Sequence, residues 1–236
     1  MNVNDERSDI TLEWFGHSCF RIEIDRMFLY FDPVRKNRLL GTTLEPHYEK
    51  KVSAIFVSHE HWDHYDVETI LALCSPRTRI YCPKSVAGSL FHRMTFEVGN
   101  LRELQKTKER IVPIKKESII QINEIQIRCL KASEGISYSI ESRDKKVLFM
   151  GDSVATDEMI KVRPDVILFP VWAVRGEEAR LNDFLELAKG ELCIPMHYHT
   201  SSDALPNFYL ESEELLGLLP KNVNTKILDR NRTYRV

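Results

Sequence analysis

Apolar and polar residues alternate from the start of the readable pattern. Ile10, Leu12 and Trp14 interleave with Thr11 and Glu13, and Phe20, Ile22 and Ile24 interleave with Arg21 and Glu23. This period of two predicts strands over Ile10–Phe15, Cys19–Ile24 and Met27–Phe31, with tight turns at Gly16-His17 and Asp25-Arg26. The third strand ends at Asp32-Pro33. Ser53–Ser58 is apolar and β-branched, which predicts a buried strand. Val67, Ile70, Leu71 and Cys74 then recur at helical spacing behind Asp66, a suitable N-cap, and a short strand is expected at Arg79–Cys82. Strands follow at Ser118–Ile122 and Ile125–Leu130 around an Asn123-Glu124 turn. Ile136, Tyr138 and Ile140 mark another, and Lys145–Met150 runs into Gly151-Asp152-Ser153. The last third alternates. Val166–Pro170 is a strand, and Leu181, Phe184, Leu185 and Ala188 form a helical stripe closed by Gly190. Leu192–Met196 is a strand ending at His197, and Phe208, Leu215, Leu216 and Leu219 mark a further helix.

Hairpins first and strand–helix alternation later point to an α/β fold: two facing sheets with helices outside both, a four-layer αββα sandwich. A Rossmann sheet fits less well, because the front half is all hairpins and no glycine-rich phosphate loop is present. The 236 residues suit one such domain over residues 1–236, and 43% hydrophobic with 29% charged residues is enough for a large core. A net charge of −2 gives no global pull toward nucleic acid or anionic membrane. No apolar run reaches the length of a membrane span, and Met1–Arg7 is polar, without the apolar stretch of a secretion signal. Five cysteines (Cys19, Cys74, Cys82, Cys129 and Cys193), odd in number and never spaced C-x-x-C, read as reduced core thiols of a cytoplasmic protein.

The chemistry concentrates where the strand Ser53–Ser58 leaves the core. His59-Glu60-His61-Trp62-Asp63-His64 places three histidines and an aspartate in six residues. In an extended chain His59 and His61 share a side, and after a bend at Asp63 the pair Asp63-His64 faces the same point. Imidazole with carboxylate suits zinc first, with manganese or iron as alternatives. Asp32, Asp152 and His197 each follow a strand, so a sandwich would gather them near that cluster. Together they offer enough ligands for one complete metal site and part of a second.

With an early Asp, H-x-H-x-D-H, a later G-D and a final His, the sequence resembles the metallo-β-lactamase-fold superfamily over about Leu12–His199. Trp14–Ile22 and Pro195-Met196-His197-Tyr198 resemble the branch that contains the L-ascorbate phosphate lactonase. The W-x-G-H opening and the aromatic Trp62 are also similar to N-acyl phosphatidylethanolamine phospholipase D. The resemblance implies one or two divalent ions. His59 and His61 would hold the first, Asp63, His64 and His197 the second, and Asp152 would bridge them. Asp32 would orient a ligand histidine. It further implies hydrolysis by metal-bound hydroxide of an ester, lactone or related bond, with Asp63 and Asp152 as catalytic residues.

One departure stands out. The family's middle histidine should lie near Leu130, where the chain reads Leu130-Lys131-Ala132-Ser133-Glu134-Gly135, and His92 comes too early to replace it. Water, Glu134 or His199 would fill the first site, which predicts one tight ion and one weak or absent. His17, Trp62, Trp172, Arg175, Tyr198, His199 and Thr200 are candidates for the cleft wall, His17 as a substrate contact or a support for the ligands. The basic residues Arg102, Lys106, Lys108, Arg110, Lys115 and Lys116 read as a solvated helix face, with attraction of an anionic substrate as the alternative. The expected partner is a small-molecule substrate, with no nucleic acid and no membrane; homo-oligomers are left open. Alternatives for function are a phosphodiesterase of the same fold acting on a nucleotide or lipid, and a non-catalytic metal-binding protein.

Overall fold

The computed structural model describes residues 10–46, 52–97, 105, 106, 108–174, 178–189, 191–198, 214, 216, 217, 219 and 221–236. The opening strands are β1 (Ile10–Trp14), β2 (Phe20–Ile24) and β3 (Met27–Phe31), antiparallel neighbours joined by short turns. Asp25 and Arg26 both take positive φ (49° and 64°), the backbone that a two-residue hairpin needs. Strands β4 (Val52–Phe56), β5 (Arg79–Pro83) and β6 (Ile111–Ile114) then add in parallel, separated by helices α1 (Val67–Leu73) and α2 (Lys84–Glu97). The second sheet holds β7 (Ile119–Ile122), β8 (Ile125–Lys131), β9 (Ile136–Ser142), β10 (Lys145–Phe149), β11 (Val166–Pro170) and β12 (Leu192–Met196). Helices α3 (Asp157–Val162) and α4 (Glu178–Leu187) fall between its last three strands, which are parallel. Strand β13 (Thr233–Arg235) returns to pair with β1, so the first sheet runs β13-β1-β2-β3-β4-β5-β6 and the second β12-β11-β10-β9-β8-β7.

Three apolar clusters show the layering. Leu12, Trp14, Ile22, Phe31 and Phe56 of the first sheet meet Ile127, Tyr138, Ile140, Phe149 and Leu168 of the second in one core. Ile55, Val57 and Ile80 pack outward on Val67, Ile70, Val86 and Leu90 of α1 and α2. Leu148, Ile167, Phe169 and Cys193 pack outward on Met159, Phe184 and Leu187 of α3 and α4. This is the αββα sandwich expected from the alternation of patterns.

Strand ends differ from the sequence reading by one or two residues, as where β4 stops at Phe56 rather than Ser58. Asp66 caps α1, accepting from the Thr69 backbone N–H. Two strands escaped the sequence reading. In β6 the sequence is Ile-Val-Pro-Ile, and Pro113 is tolerated because β6 is an edge strand. In β13 only Thr-Tyr-Arg pairs, too short for a pattern. The strand β6 also corrects the reading of Lys115 and Lys116 as a helix face: both lie in the turn after it. The helix expected over Phe208–Leu219 lies largely outside the described residues, as does Gly190. No helix among the described residues is long and apolar enough to cross a membrane. The five cysteines form no disulfide, and burial pushes the thiols of Cys19, Cys82, Cys129 and Cys193 up to about 12, so none of these four is poised as a thiolate.

Candidate metal centre

Parallel strands end together, which is what gathers the site. Phe31 pairs with Phe56 across β3 and β4, and Asp32 N–H donates to Phe56 O at 2.9 Å, so Asp32 and the histidine loop leave the sheet side by side. Across the core, β10, β11 and β12 run parallel, and Asp152 and His197 leave at the same edge. Ile136 N–H donates to Ser58 O at 3.0 Å, which ties the two sheets together there, and Glu134 N–H donates to Asp152 O at 3.0 Å within the loops of the second sheet.

The buried carboxylate of Asp32 anchors the loop. It accepts from Ser58 N–H at 2.7 Å, from Ser58 Oγ–H at 2.7 Å and from His64 Nδ1–H at 2.7 Å. Ser58 Oγ in turn accepts from His59 Nδ1–H at 2.9 Å. Both rings are thereby set with Nδ1 toward the support and Nε2 toward the cleft, the orientation in which imidazole would bind a metal. Farther out, Tyr138 Oη–H donates to Val57 O at 2.7 Å and holds the strand end from the core side.

Among the described residues, two groups of ligand-type side chains result, each with its donor atoms within 4.8 Å of one another. One is His59, His61, Glu134 and Asp152; the other is His17, His64 and His197. In the first, Glu134 Oε2 lies 3.2 Å from His61 Nδ1 and 3.8 Å from His59 Nε2. Glu134 therefore stands beside the histidine pair, on the segment where the middle histidine is missing. Gly135 makes this approach feasible. At φ +67° a Cβ there would lie 2.1 Å from Ser58 O and 2.6 Å from His59 Cβ. Asp152 joins the groups, with Oδ2 at 3.9 Å from His59 Nε2 and Oδ1 at 3.3 Å from His64 Nε2 and 3.0 Å from His197 Nε2. His199, the other candidate for the first group, lies outside the described residues, as do Arg175 and Thr200.

His17 lies deeper than its turn position suggests. It is 1% exposed, its ring centroid is 3.9 Å from that of His197, and its Nε2–H donates to Asp63 Oδ2 at 3.0 Å. Asp63 Oδ2 is 3.7 Å from His64 Nε2. Trp14 Nε1–H and the His197 amide both donate to His17 O, at 3.0 and 3.3 Å. Tyr198 stacks on Trp14 with centroids 4.7 Å apart and is 1% exposed. Tyr198 therefore does not line the cleft: it packs into the core between the sheets. Trp62 is 54% exposed at the mouth, whereas Trp172 is half-buried.

The electrostatics suit a cation. Burial alone would raise the carboxyls of Asp63 and Asp152. The His17 hydrogen bond and His64 outweigh it at Asp63, as His197 and His64 do at Asp152, and both stay well below the usual carboxylate range. Burial, with His64 beside it, lowers His59 to about 4, and burial with His197 lowers His17 to about 3. Burial also disfavours charge on His64, but Asp152 and Asp32 prevail and raise it. The proton so attracted marks where a divalent ion would compete. Fit to a metal rests on unpaired atoms. His64 Nε2, His197 Nε2 and Asp152 Oδ1 are buried with no hydrogen-bond partner, yet lie 3.0 to 3.3 Å apart where they meet. Ligands about 2.1 Å from one ion in a tetrahedron are about 3.4 Å apart, close to that spacing.

Ser58 and Gly135 went unnoticed in the sequence. The signals were there: a serine directly before the histidine motif, and a glycine directly after the one acidic residue near the missing histidine.

A family model for the beta-lactamase superfamily domain matches residues 28–204. A UPF0173 protein of Pyrococcus furiosus is 28% identical over 204 residues, covering 82% of this chain and 85% of the relative. A UPF0173 metal-dependent hydrolase of Hyperthermus butylicus is 24% identical over 219 residues, covering 86% and 88%. Among solved structures, the metallo hydrolase Igni18 of Ignicoccus hospitalis superposes with a TM-score of 0.68 at 19% identity, over 97% of this chain and 98% of that one.

Proposed function

The chain belongs to the beta-lactamase superfamily domain family, and on that premise we propose that it is a metal-dependent hydrolase acting on an ester, lactone or related bond of a small molecule. One observation carries the reading: Asp152 turns one oxygen toward His59 and the other toward the unpaired nitrogens of His64 and His197. A divalent ion bound there would bring the pKa of its water to about 7 and polarise the oxygen of the scissile bond. Zinc suits the imidazole-rich group of His64 and His197. Glu134 makes the other group richer in oxygen, which favours manganese or iron.

The protein's own side chains supply orientation. Asp32 and Ser58 fix the His64 and His59 rings, His17 fixes the Asp63 carboxylate, and Asp152 spans both groups. Asp63, partly exposed, presents its carboxylate to the cleft, where it can accept a hydrogen bond from the attacking water and steer it. His61 and Glu134 are each more than half exposed, whereas His64 and His197 are almost fully buried. We infer unequal binding: one ion held firmly by the buried group, and one exchangeable at the open group.

The test is turnover of metal-loaded protein on a panel of lactones, carboxylic esters and phosphodiesters, beside Asp63→Ala and Asp152→Ala. Turnover of an ester or lactone, abolished in both variants while each still melts cooperatively in excess EDTA, supports the reading. Turnover of phosphodiesters alone would reassign the bond. Turnover kept in either variant would refute the mechanism.

A further inference from the structure

Beside the metal centre lies a cavity of about 570 Å3, walled by Gly135 and Ile136 on one side and by Lys84, Lys115, Lys116 and Glu117 on the other. The sheet register explains why they meet. Phe56 pairs with Tyr81 in parallel, and Pro83 with Ile114. His59, Lys84 and Lys115 each follow the end of one of three adjacent parallel strands, so the three chain segments leave the sheet at the same edge. Gly135 is the shared wall, because its Cβ would overlap His59 while its backbone lines the cavity.

The charge here is unbalanced. Lys84, Lys115 and Lys116 are exposed, none has a carboxylate partner among the described residues, and Glu117 is the one acid in the wall. Helix α2 starts at Lys84 with 14 residues and no acidic residue in its first turn. Pro83, just before it, has no side-chain oxygen to cap the first amides. The positive end of that helix therefore adds to three ammonium groups converging on one recess.

We propose that this cavity is the subsite for an anionic group of the substrate, a carboxylate or phosphate held by Lys84, Lys115 and Lys116 while the scissile bond reaches the metal centre. The substrate class is then an acidic ester or lactone with its second anionic group several bonds from the scissile one. Only this substrate assignment rests on the hydrolase reading; anion binding is tested separately.

Two measurements on metal-loaded protein decide it, each made on wild type and on the triple variant Lys84→Gln, Lys115→Gln, Lys116→Gln. In the first, calorimetric titration with glutarate reads anion binding directly. An exposed ion pair changes affinity about threefold, so the triple variant should bind about tenfold to thirtyfold more weakly, with metal content unchanged. Equal affinity in both proteins would overturn the subsite. In the second, kcat/KM is compared for mono-p-nitrophenyl succinate and p-nitrophenyl acetate. The wild type should favour the charged ester, a preference that fades with added salt and collapses in the triple variant. A preference unaltered by the lysine changes would also overturn the subsite. Failure to cleave either ester would count against the ester reading of the reaction, and the glutarate titration would still decide the subsite.

Discussion

Asp32→Asn keeps the shape of a fully buried side chain and removes its charge. The carboxylate accepts three hydrogen bonds, each 2.7 Å long: Ser58 N–H at Oδ1, and Ser58 Oγ–H with His64 Nδ1–H at Oδ2. An amide has one oxygen, so if it keeps the Ser58 amide its NH2 faces two donors. His64 must then turn or move its proton to Nε2, the atom that faces His197 and Asp152. Losing the group that orients a metal-bound histidine typically weakens metal binding about 10- to 100-fold, or about 1.4 to 2.7 kcal/mol. The donors left unpaired should destabilise the metal-free fold by about 1 to 3 kcal/mol, lowering its melting temperature by several degrees. Competition with a chelator of known affinity reads the first effect, and thermal melts in excess EDTA read the second. Affinity within about twofold of wild type would refute the claim that Asp32 acts through His64.

Three further outcomes follow from the same geometry. Glu134→Ala should release the weaker ion while the firmer one stays, and Glu134→His should raise zinc affinity at the open group; metal equivalents counted after dialysis would show it, and equal loss of both ions would contradict the two-group division. Gly135→Ala should be among the most damaging single changes, because a left-handed L-residue alone costs about 1 to 2 kcal/mol and the new methyl strikes Ser58 O; a melting temperature like wild type would sink this. His17→Ala takes one of the three imidazoles from the buried group, along with the hydrogen bond to Asp63, and should loosen the firmer ion about tenfold or more while sparing the exchangeable one, a split that stepwise metal titration would resolve.

Much of the architecture was legible because burial writes itself into period. The strands β1 and β2 alternate cleanly, β9 alternates in sequence although its serines are buried too rather than facing solvent as a half-buried strand would, and β11 and β12 are short continuous apolar runs between helical stripes. The strands that escaped are edges, where one neighbour is missing and pattern relaxes: β6 with its proline and β13 with three residues. The histidine motif was legible because its residue types are rare together. What surrounds it was not. Ser58 matters through Asp32, 26 positions away, and His17 through Asp63, 46 positions away. Neither partnership leaves a local trace, since it exists only once two strand ends and a turn come together at one sheet edge. Gly135 was unreadable for the same reason, because its meaning is the backbone of Ser58 lying against it.

The site also carries strain that a purely structural edge would shed. His17, Asp32 and His197 all have positive φ, at 49°, 44° and 63°, and histidine and aspartate bear this better than most residues but not freely. Each of the three stands just past a strand end or in a turn at the same edge of the sandwich, where the left-handed backbone redirects the chain. Backbone bonds hold the turns in place, from Asp32 N to Phe56 O and from His197 N to His17 O. To that strain are added the unpaired atoms His64 Nε2, His197 Nε2 and Asp152 Oδ1. A cation offsets these terms in the folded state alone, so metal should stabilise the fold by linkage. At a free concentration 100 times the dissociation constant the gain is about 2.7 kcal/mol, which raises the melting temperature by about 5 to 11 °C for a chain of this size. Calorimetric melts across a zinc titration, each matched by one in EDTA, measure the shift. If the melting temperature were independent of zinc while Ser58→Ala, which also loosens His59 and His64, changed nothing further, the unpaired atoms would have some other purpose and the metal centre would be misassigned.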